Sequence, residues 1–458
     1  VYSSAKYTFC YIVFSSILEF GLKMRSCINK FSESPILRAF LTTSVGSGIS
    51  KVILVIATFY CARLLSKEDF GTFSFVRNTL NTILCVCALN YIGLCTKFTS
   101  ELVYIPIARV RLAILIAFSL FVCALFGGVL FLLPKSIMIN LLGGETIVPY
   151  FRLIGILLPL LMVQPLIEGI LRGKQRFKTI GIMQIISSLS FLILIIFGIY
   201  IHEMSGAIIG MLIYYVLYSI YSLIVLNRIT SIKYCFVGAF TGWRSELSII
   251  HRMILPVFLL SFIEAPINWW AQLLLTQQSS YEAIGSMTAI MQIRNIVILI
   301  PAYFLNAFTS FASSLNANNS HIEYFNKFKR TMTWFFIGSS LVVILLICCR
   351  KILLGLYGPA YTTDSIPFVI AIIAMPLYIL CSLLKVNLLI REHQQAMLCM
   401  SILGSFLFIS GLYILLHVNI SSVSAFFIAQ FLQISMTLIW CMQIYIKDKR
   451  TLLKNYVL

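Results

Sequence analysis

The sequence predicts an all-α, polytopic membrane protein of about 12 transmembrane helices, arranged in two six-helix lobes related as parallel repeats. Hydrophobic residues make up 60% of the 458 positions and charged residues only 11%, too apolar a balance for a water-soluble protein of this length. Apolar runs of about 20 residues, the length that crosses a bilayer as a helix, recur along the chain between short polar breaks. The two halves also share short motifs at a nearly constant spacing.

The apolar runs give the predicted spans in chain order. They lie near residues 36–60, 72–94, 110–133, 148–170, 179–201, 205–226, 253–275, 281–305, 331–349, 365–388, 396–417 and 421–446. Prolines inside them, such as Pro159, Pro165 and Pro376, predict kinks, which membrane helices tolerate. These spans predict five segments: a cytoplasmic amino-terminal segment (1–35), an N-lobe (36–226), a cytoplasmic inter-lobe linker (227–252), a C-lobe (253–446) and a cytoplasmic tail (447–458).

We assign no function to the first 23 residues. Their apolar stretch is shorter than a span and lacks a small-residue cleavage site, and a basic segment opens at Met24. We expect residues 1–23 to be either an upstream misannotation or an interfacial stub.

Basic residues concentrate in alternate loops. The amino end, the loops near residues 97–111, 172–178, 228–252, 327–330 and 391, and the tail carry most of the lysines and arginines. The positive-inside rule places this set, and therefore both termini, in the cytoplasm. Orientation thus accounts for most of the net charge of +19, and a nucleic-acid partner has no support.

The cysteines and histidines predict neither a metal site nor a disulfide framework. Most of the 13 cysteines fall inside apolar runs, no CxxC pair occurs, and the 5 histidines are scattered. The sequence also contains no nucleotide-binding loop and no catalytic constellation. We therefore expect no cofactor, no catalytic residue and no enzymatic activity.

Three motif pairs, in the same order in both halves, indicate an internal repeat. Residues 66–71 align with 280–285 and residues 142–144 with 356–358, both at a spacing of 214, and residues 171–175 align with 390–394 at 219. An even number of spans in each half makes such repeats parallel, related by an axis along the membrane normal.

Ionisable residues inside the spans are the candidate functional residues, because a charge in the bilayer is costly unless it faces a cavity or a partner. Lys51 and Arg77 flank the first outer loop at similar depth, and Glu264 and Arg294 flank the corresponding loop of the second half. Glu168 lies near a cytoplasmic helix end, where we expect it to be solvated.

Polar residues at helical spacing extend these charged positions. Ser47 shares a helix face with Lys51, Asn81 with Arg77, and Asn268 with Glu264. Faces of this kind between two lobes predict a hydrated, cation-lined cavity. A pyrophosphate fits such a cavity, since arginine binds it as a fork and lysine as a point charge, which makes Lys51, Arg77 and Arg294 the predicted ligands. Glu264 has two interpretations, an ion pair with Arg294 or an ion-coupling group.

The segment from Ala62 to Phe73, ARLLSKEDFGTF, resembles a signature that follows the first helix of O-antigen (Wzx-type) polysaccharide repeat-unit flippases. These flippases belong to the multidrug/oligosaccharidyl-lipid/polysaccharide exporter superfamily, and the resemblance runs from about residue 34 onward. It implies a V of two lobes that moves undecaprenyl-pyrophosphate-linked oligosaccharide from the cytoplasmic to the periplasmic leaflet of a bacterial inner membrane by alternating access. It also implies membrane lipid, and possible polymerase and chain-length proteins of the same pathway, as partners.

Two rival functions stay open. An O-antigen polymerase or ligase acts on the same lipid, but such enzymes need a sizeable periplasmic loop, and the longest outer loops here are about 15 residues. A multidrug antiporter of the same superfamily usually carries an acidic residue in its first lobe, where this chain has Lys51.

Overall fold

Helices are the only regular elements in the part of the chain that the computed structural model describes. That part comprises residues 35–87, 91–102, 107–142, 144–229, 243–250, 254–317, 321–391, 393–418 and 420–454. The predicted all-α fold class is therefore confirmed.

The first half of the chain forms the N-lobe. Its helices are α1 (Pro35–Leu64), α2 (Lys67–Cys87), α3 (Ile92–Glu101), α4 (Ala108–Leu132), α5 (Lys135–Leu142), α6 (Val148–Leu161), α7 (Val163–Gly173) and α8 (Phe177–Ile229). The longest contact in this lobe runs between α1 and α8, so the first predicted span packs along the fifth and sixth.

A short helix, α9 (Trp243–Glu246), follows, and the C-lobe begins after it. The C-lobe helices are α10 (Leu255–Gln278), α11 (Tyr281–Ala317), α12 (His321–Cys348), α13 (Arg350–Gly355), a 3-10 helix (Pro359–Asp364), α14 (Ser365–Ile373), α15 (Met375–Ile390), α16 (Gln394–Leu416) and α17 (Ser422–Lys454). The Glu246 carboxylate accepts a 2.7 Å hydrogen bond from Arg111 Nε, which ties α9 to α4 of the N-lobe.

Nine helical stretches within the described residues are long and apolar enough to cross a membrane. One of them, α8, is a hairpin, because His202 and Glu203 leave helical geometry and Gly198 packs directly against Gly206 beyond the turn. It therefore contains two predicted spans, and α10 and α11 coincide with the seventh and eighth. The helices match the predicted number of about 12.

The fourth and tenth predicted spans are each interrupted near their prolines. Helix α6 ends and α7 begins around Met162, between Pro159 and Pro165, and α14 gives way to α15 at Ala374, before Pro376. Proline removes a backbone donor and crowds the preceding turn, so these breaks have the expected local cause.

The third motif pair has a different register in the structure from the one that the sequence predicts. Helices α7 and α15 end at Gly173 and Ile390, and each end carries a backbone hydrogen bond across five residues, from Arg176 N to Leu171 O and from His393 N to Leu388 O, both 2.9 Å. These landmarks are 217 residues apart, whereas the aligned letters gave 219. The aligned residue types and the structural landmarks at this boundary therefore differ by two positions.

The helix ends sort into two sets. One contains the connections near residues 65, 144, 279, 358 and 420, which hold few basic residues and which we call the charge-poor end. The other contains those near residues 104, 175, 320 and 392, together with α9 and the carboxyl end of α17, and we call it the basic end. Contacts such as the ion pair of Lys67 with Asp364 and the hydroxyl contact of Ser279 with Ser422 hold the charge-poor connections together.

Candidate functional site

The inner faces of α1 and α2 pass from buried to exposed on the way from the charge-poor end to the basic end. Thr58 of α1 is buried, whereas Lys51, two helical turns closer to the basic end on the same side of the helix, is exposed. On α2, Ser74 has no exposed surface, Arg77 is half-buried and Asn81 is exposed. Both helices therefore border a space that widens toward the basic end.

The helices of the C-lobe show the same gradient. Gln272 of α10 is buried against the N-lobe, and Asn268, one turn closer to the basic end on the same face, is exposed. On α11, residues 284–290 are buried and Asn295 is exposed. The burial gradient on these four helices indicates a space between the lobes that is closed at the charge-poor end and widens toward the basic end.

Polar contacts between the lobes close the charge-poor end. Lys67 Nζ lies 2.9 Å from Asp364 Oδ2, and both side chains are only 16% exposed. Arg63 Nε donates a 2.7 Å hydrogen bond to the Leu356 carbonyl oxygen. Because Lys67 and Arg63 belong to the N-lobe side and their acceptors to the C-lobe, these bonds must break if this end opens.

Aromatic side chains fill the space beneath these polar contacts. Phe59 lies edge-on to Tyr357, with 4.5 Å between ring centroids, and Phe70 lies edge-on to Tyr361 at 6.2 Å. All but Phe59 are essentially buried. The closed end is therefore packed as a small apolar core between the lobes.

A pair of glycines lets α2 and α11 cross in direct backbone contact. A Cβ atom on Gly71 would overlap the Tyr281 carbonyl oxygen, and one on Gly285 would lie 2.7 Å from the Lys67 carbonyl oxygen. Gly71 and Gly285, and likewise Lys67 and Tyr281, are repeat partners at the spacing of 214. The contact is therefore reciprocal, as it is in a two-fold interface.

Further toward the cavity, two side-chain hydrogen bonds join the lobes. Asn78 Nδ2 donates to Gln272 Oε1 at 3.0 Å, and Trp269 Nε1 donates to Thr79 Oγ1 at 2.9 Å. These bonds lie about one turn from the exposed positions of Asn81 and Asn268, and closer to the basic end Phe118 of α4 lies edge-on to Phe258 of α10, with 5.9 Å between ring centroids. The two hydrogen bonds set the depth at which the cavity ends.

Arg77 lies at this closed limit of the cavity. Its Nη1 approaches Thr58 Oγ1 at 3.5 Å, its guanidinium lies 5.7 Å from the Phe73 ring centroid, and its charge acts on the hydroxyl of Tyr215. Tyr215 in turn donates a 3.2 Å hydrogen bond to Asn81 Oδ1. The structure thus groups Arg77 with Asn81 through Tyr215.

The remaining predicted residues occupy different surroundings. Ser47 Oγ donates a 2.6 Å hydrogen bond to Gln184 Oε1 of α8, one turn from Lys51. Arg294 is only 8% exposed and donates to Gln430 Oε1 of α17, so it faces the interior of the C-lobe. The side chain of Glu264 lies outside the described residues.

Glu168 departs from the expected solvated position. Its side chain is 13% exposed and accepts hydrogen bonds from Arg172 Nη2 at 2.6 Å, Gln164 Nε2 at 3.2 Å and Gln184 Nε2 at 3.3 Å. The break at Met162 separates α7 from α6, and α7 packs against α3 and α8. The spacing of Gln164, Glu168 and Arg172, four residues apart on one face, was the sequence signal for this cluster.

Within the described residues, no group of three or more histidine, cysteine, aspartate or glutamate side chains is placed to hold a metal ion. The polar groups that line the cavity are arginine, lysine, amides and hydroxyls. Such groups can bind an anion and hydrogen-bond a neutral ligand.

Comparisons with known proteins give two findings. The sequence profile of a family described as polysaccharide biosynthesis protein matches residues 36–309, more than half of the chain. No curated protein sequence matches.

Several solved structures that resemble this one are transporters. One is an inward-facing multidrug resistance MATE family transporter of the MOP superfamily, with a TM-score of 0.73, 14% sequence identity, and coverage of 94% of this chain and 98% of that one. An outward-facing transporter of the same description has a TM-score of 0.61, 15% identity, and coverage of 91% and 96%. A Vibrio cholerae MATE transporter mutant has a TM-score of 0.58, 13% identity, and coverage of 94% and 98%. At these identities the likeness concerns the fold, and it confirms the two-lobe architecture.

Proposed function

Because the chain belongs to the polysaccharide biosynthesis protein family and has a two-lobe transporter fold, we propose that it is a flippase for lipid-linked oligosaccharide. Its substrate is an undecaprenyl-pyrophosphate-linked repeat unit of the O-antigen or capsule type. It moves this lipid from the cytoplasmic to the periplasmic leaflet of a bacterial inner membrane, in the pathway of a polymerase and its chain-length partner.

The observation that carries the proposal is the inter-lobe cavity with Arg77 at its closed limit and Lys51 exposed along its wall. A pyrophosphate at this depth meets a guanidinium fork and an ammonium group, whereas bulk lipid offers it nothing. Asn81 and Asn268 add amide groups on opposite walls. Arg294 acts from behind the C-lobe wall through the positive potential of a buried charge.

The basic end faces the cytoplasm in this account, because lysine and arginine accumulate on the cytoplasmic side of membrane proteins. The cavity then opens inward, toward the leaflet in which lipid-linked sugars are assembled. The higher TM-score with the inward-facing than with the outward-facing MATE transporter supports this state. Both termini lie in the cytoplasm.

Transport in this account is an alternation of access. The head group enters from the basic end, the lobes close there, and the contacts of Lys67 and Arg63 at the charge-poor end release. An inside-negative membrane potential favours outward movement of anions by about 2.3 kcal/mol per charge per 100 mV. The membrane potential therefore contributes to the driving force for transport, and no covalent step is needed.

Multidrug export is the second candidate, and the likeness to MATE transporters favours it. A cationic drug would meet Lys51 and Arg77 in the cavity, and their like charge disfavours it. The glutamate closest to these positions in the described N-lobe, Glu168, is already paired with Arg172. The anionic substrate therefore fits the charges of the cavity better.

Deletion of the gene in its host tests the function. Single repeat units should accumulate on the cytoplasmic face of the inner membrane, and surface polysaccharide should disappear. Wild type and Arg176→Ala, which removes an exposed arginine at the basic end, should restore export, whereas Arg77→Ala should not.

Other outcomes separate the rivals. Single units that reach the periplasmic face without polymerising would support the polymerase. Intact surface polysaccharide, in a host without a substitute flippase, would support drug export.

A further inference from the structure

We propose that a polar cluster of the N-lobe binds the sugar portion of the substrate. The cluster consists of Ser47 of α1, Gln164 and Glu168 of α7, and Gln184 and Tyr218 of α8, and we call it the Glu168 cluster. The inference rests on the proposed function and names the part of the cavity that holds the glycan.

The cluster brings three helices together around one carboxylate. Gln164 and Gln184 both donate their amide groups to Glu168, at 3.2 and 3.3 Å, and Ser47 donates its hydroxyl to Gln184 at 2.6 Å. The Tyr218 hydroxyl interacts with Gln164 and with the charge of Glu168. Ser47, Gln164, Gln184 and Tyr218 are all half-buried, so they combine fixed orientation with an accessible edge.

The charge of the cluster selects for a neutral ligand. Arg172 Nη2 lies 2.6 Å from Glu168 Oε1, so the carboxylate is neutralised where it stands. A cationic drug and a pyrophosphate both gain little from a carboxylate that is already paired with an arginine. A ligand rich in hydroxyl groups, by contrast, can donate to the carboxylate and can both donate to and accept from the amides and phenols.

The cluster lies next to the predicted pyrophosphate site on its basic-end side. Ser47 precedes Lys51 by one helical turn on α1, about 6 Å along the axis. On α8, Tyr215, which contacts Asn81, precedes Tyr218 by about one turn. A head group at Arg77 and Lys51 would therefore place its first sugars at the Glu168 cluster.

Tyrosine rings connect the two sites. Tyr214 stacks on Tyr218, with 5.9 Å between ring centroids, and its ring lies 4.9 Å from that of Tyr215. The Tyr214 and Tyr218 hydroxyls both lie within hydrogen-bonding reach of Ser187. Tyrosine presents an apolar ring and a polar hydroxyl together, which suits the mixed surface of a sugar.

The alternative role for these residues is purely structural, namely to hold α1, α7 and α8 together. The internal repeat argues against that role. At the spacing of 217, Gln164 and Glu168 correspond to Cys381 and Lys385 of α15. The C-lobe helix packs against α17 and α12 with these residues in place of the carboxylate and amide. The fold thus does not require the cluster, which is a property of one lobe.

Binding of two lipids to purified protein in lipid nanodiscs tests the inference. The probes are undecaprenyl pyrophosphate without sugar and the lipid-linked repeat unit extracted from the deletion host. Gln184→Ala should weaken binding of the sugar-bearing lipid about tenfold, the effect of one or two lost hydrogen bonds, and leave the sugar-free lipid unchanged. Arg77→Ala should weaken both lipids. Gln443→Ala, which removes the same amide from an exposed position of α17, should weaken neither.

The outcomes separate this inference from the proposed function. If Gln184→Ala weakened the binding of both lipids equally, or of neither, the sugar site would be overturned. Binding of both lipids by the wild type would still support the flippase. Failure of wild type to bind either lipid would overturn both. Glu168→Gln, which keeps the shape and an acceptor oxygen, provides a second variant, and its thermal unfolding temperature shows whether a loss of binding reflects unfolding.

Discussion

Arg77 occupies the point where the inter-lobe contacts end and the cavity begins. Thr58 and Phe73 hold one side of its guanidinium, and Tyr215 links it to Asn81, so the group is oriented while a minor part of the residue stays accessible. A preoriented fork of this kind binds a pyrophosphate in two places at once.

Replacement of Arg77 should therefore show how much the two-pronged geometry of the guanidinium contributes to binding affinity, in addition to its positive charge. Arg77→Ala should lower affinity for undecaprenyl pyrophosphate by about 10- to 100-fold, the range for hydrogen bonds to charged groups, and Arg77→Lys by less. Binding in nanodiscs measures both. Equal affinities of wild type and Arg77→Ala would remove Arg77 from the binding site.

Gly71 tests the crossing of α2 and α11. Gly71→Ala places a methyl group against the Tyr281 carbonyl oxygen and should destabilise the closed charge-poor end by about 1–3 kcal/mol, the cost of overpacking. Gly128→Ala of α4, where nothing lies within 4 Å, is the matched control. Thiol labelling of a cysteine placed at Ser74, which has no exposed surface in this state, should speed up in Gly71→Ala alone. Unchanged labelling would contradict the tight crossing.

Sequence reasoning identified the intramembrane charges but could not assign their surroundings. Helical spacing placed Asn81 beside Arg77 correctly, because both lie on one helix. The burial of Arg294 against Gln430 and the network around Glu168 depend on which helices meet, and a single-helix face carries no information on its neighbour. The roles of Lys51, Arg77, Arg294 and Glu264 in binding or coupling stay predictions.

At the level of elements, the motif residues at the first charge-poor connection, between α1 and α2, have separate physical roles. The Asp69 amide donates to Ser66 Oγ at 3.1 Å and the Ser66 hydroxyl donates to Asp69 Oδ2 at 2.7 Å, which caps the start of α2. Lys67 and Phe70 then contact the C-lobe, and Gly71 permits the crossing. The motif therefore begins a helix and closes the lobes at one place.

The turn of the α8 hairpin gives a prediction for one element. Glu203 has φ of 46° and ψ of −124°, a conformation that glycine adopts without strain and other residues do not. Glu203→Gly should stabilise the protein by about 1 kcal/mol, seen as a higher thermal unfolding temperature in detergent. Glu203→Ala, which removes the same charge but keeps the Cβ atom, should not. A higher unfolding temperature in both variants would show that loss of the charge, and not relief of backbone strain, stabilises the protein.

The elements themselves were largely predictable because the bilayer fixes their length and composition. Hydropathy located the spans, and the break between 201 and 205 coincides with the hairpin turn. Helix ends were less accurate, since α2 begins at Lys67 where the apolar run begins near 72. Capping by Ser66 extends the helix into polar sequence that hydropathy does not count.

At the level of the whole molecule, the inter-lobe contacts define one state of the proposed alternating cycle. The pair of Lys67 with Asp364 spans the lobes with both side chains largely buried. Lys67→Ala should weaken the closed state by about 1–3 kcal/mol, because it removes a charged hydrogen bond and leaves Asp364 unpaired. Labelling of a cysteine placed at Ser74, which is buried on the inner face of α2 in this state, should report the opening. The exchanged pair Lys67→Asp with Asp364→Lys should restore slow labelling, and failure to do so would mean that the pair does not hold the lobes.

The two-lobe arrangement was predictable from the motif repeat, but the state was not. The sequence is the same in every conformation, so burial of Thr58 beside exposure of Lys51 could come only from the structure.

Movement of lipid-linked repeat unit in proteoliposomes tests the central claim most directly. Purified protein would be reconstituted with repeat unit extracted from the deletion host, and an impermeant reagent that modifies the sugar would report transfer between leaflets. The account predicts transfer by wild type and by Arg176→Ala, and loss of transfer in Arg77→Ala. Absence of transfer by wild type, in vesicles that export a cationic dye, would contradict it and identify a multidrug transporter.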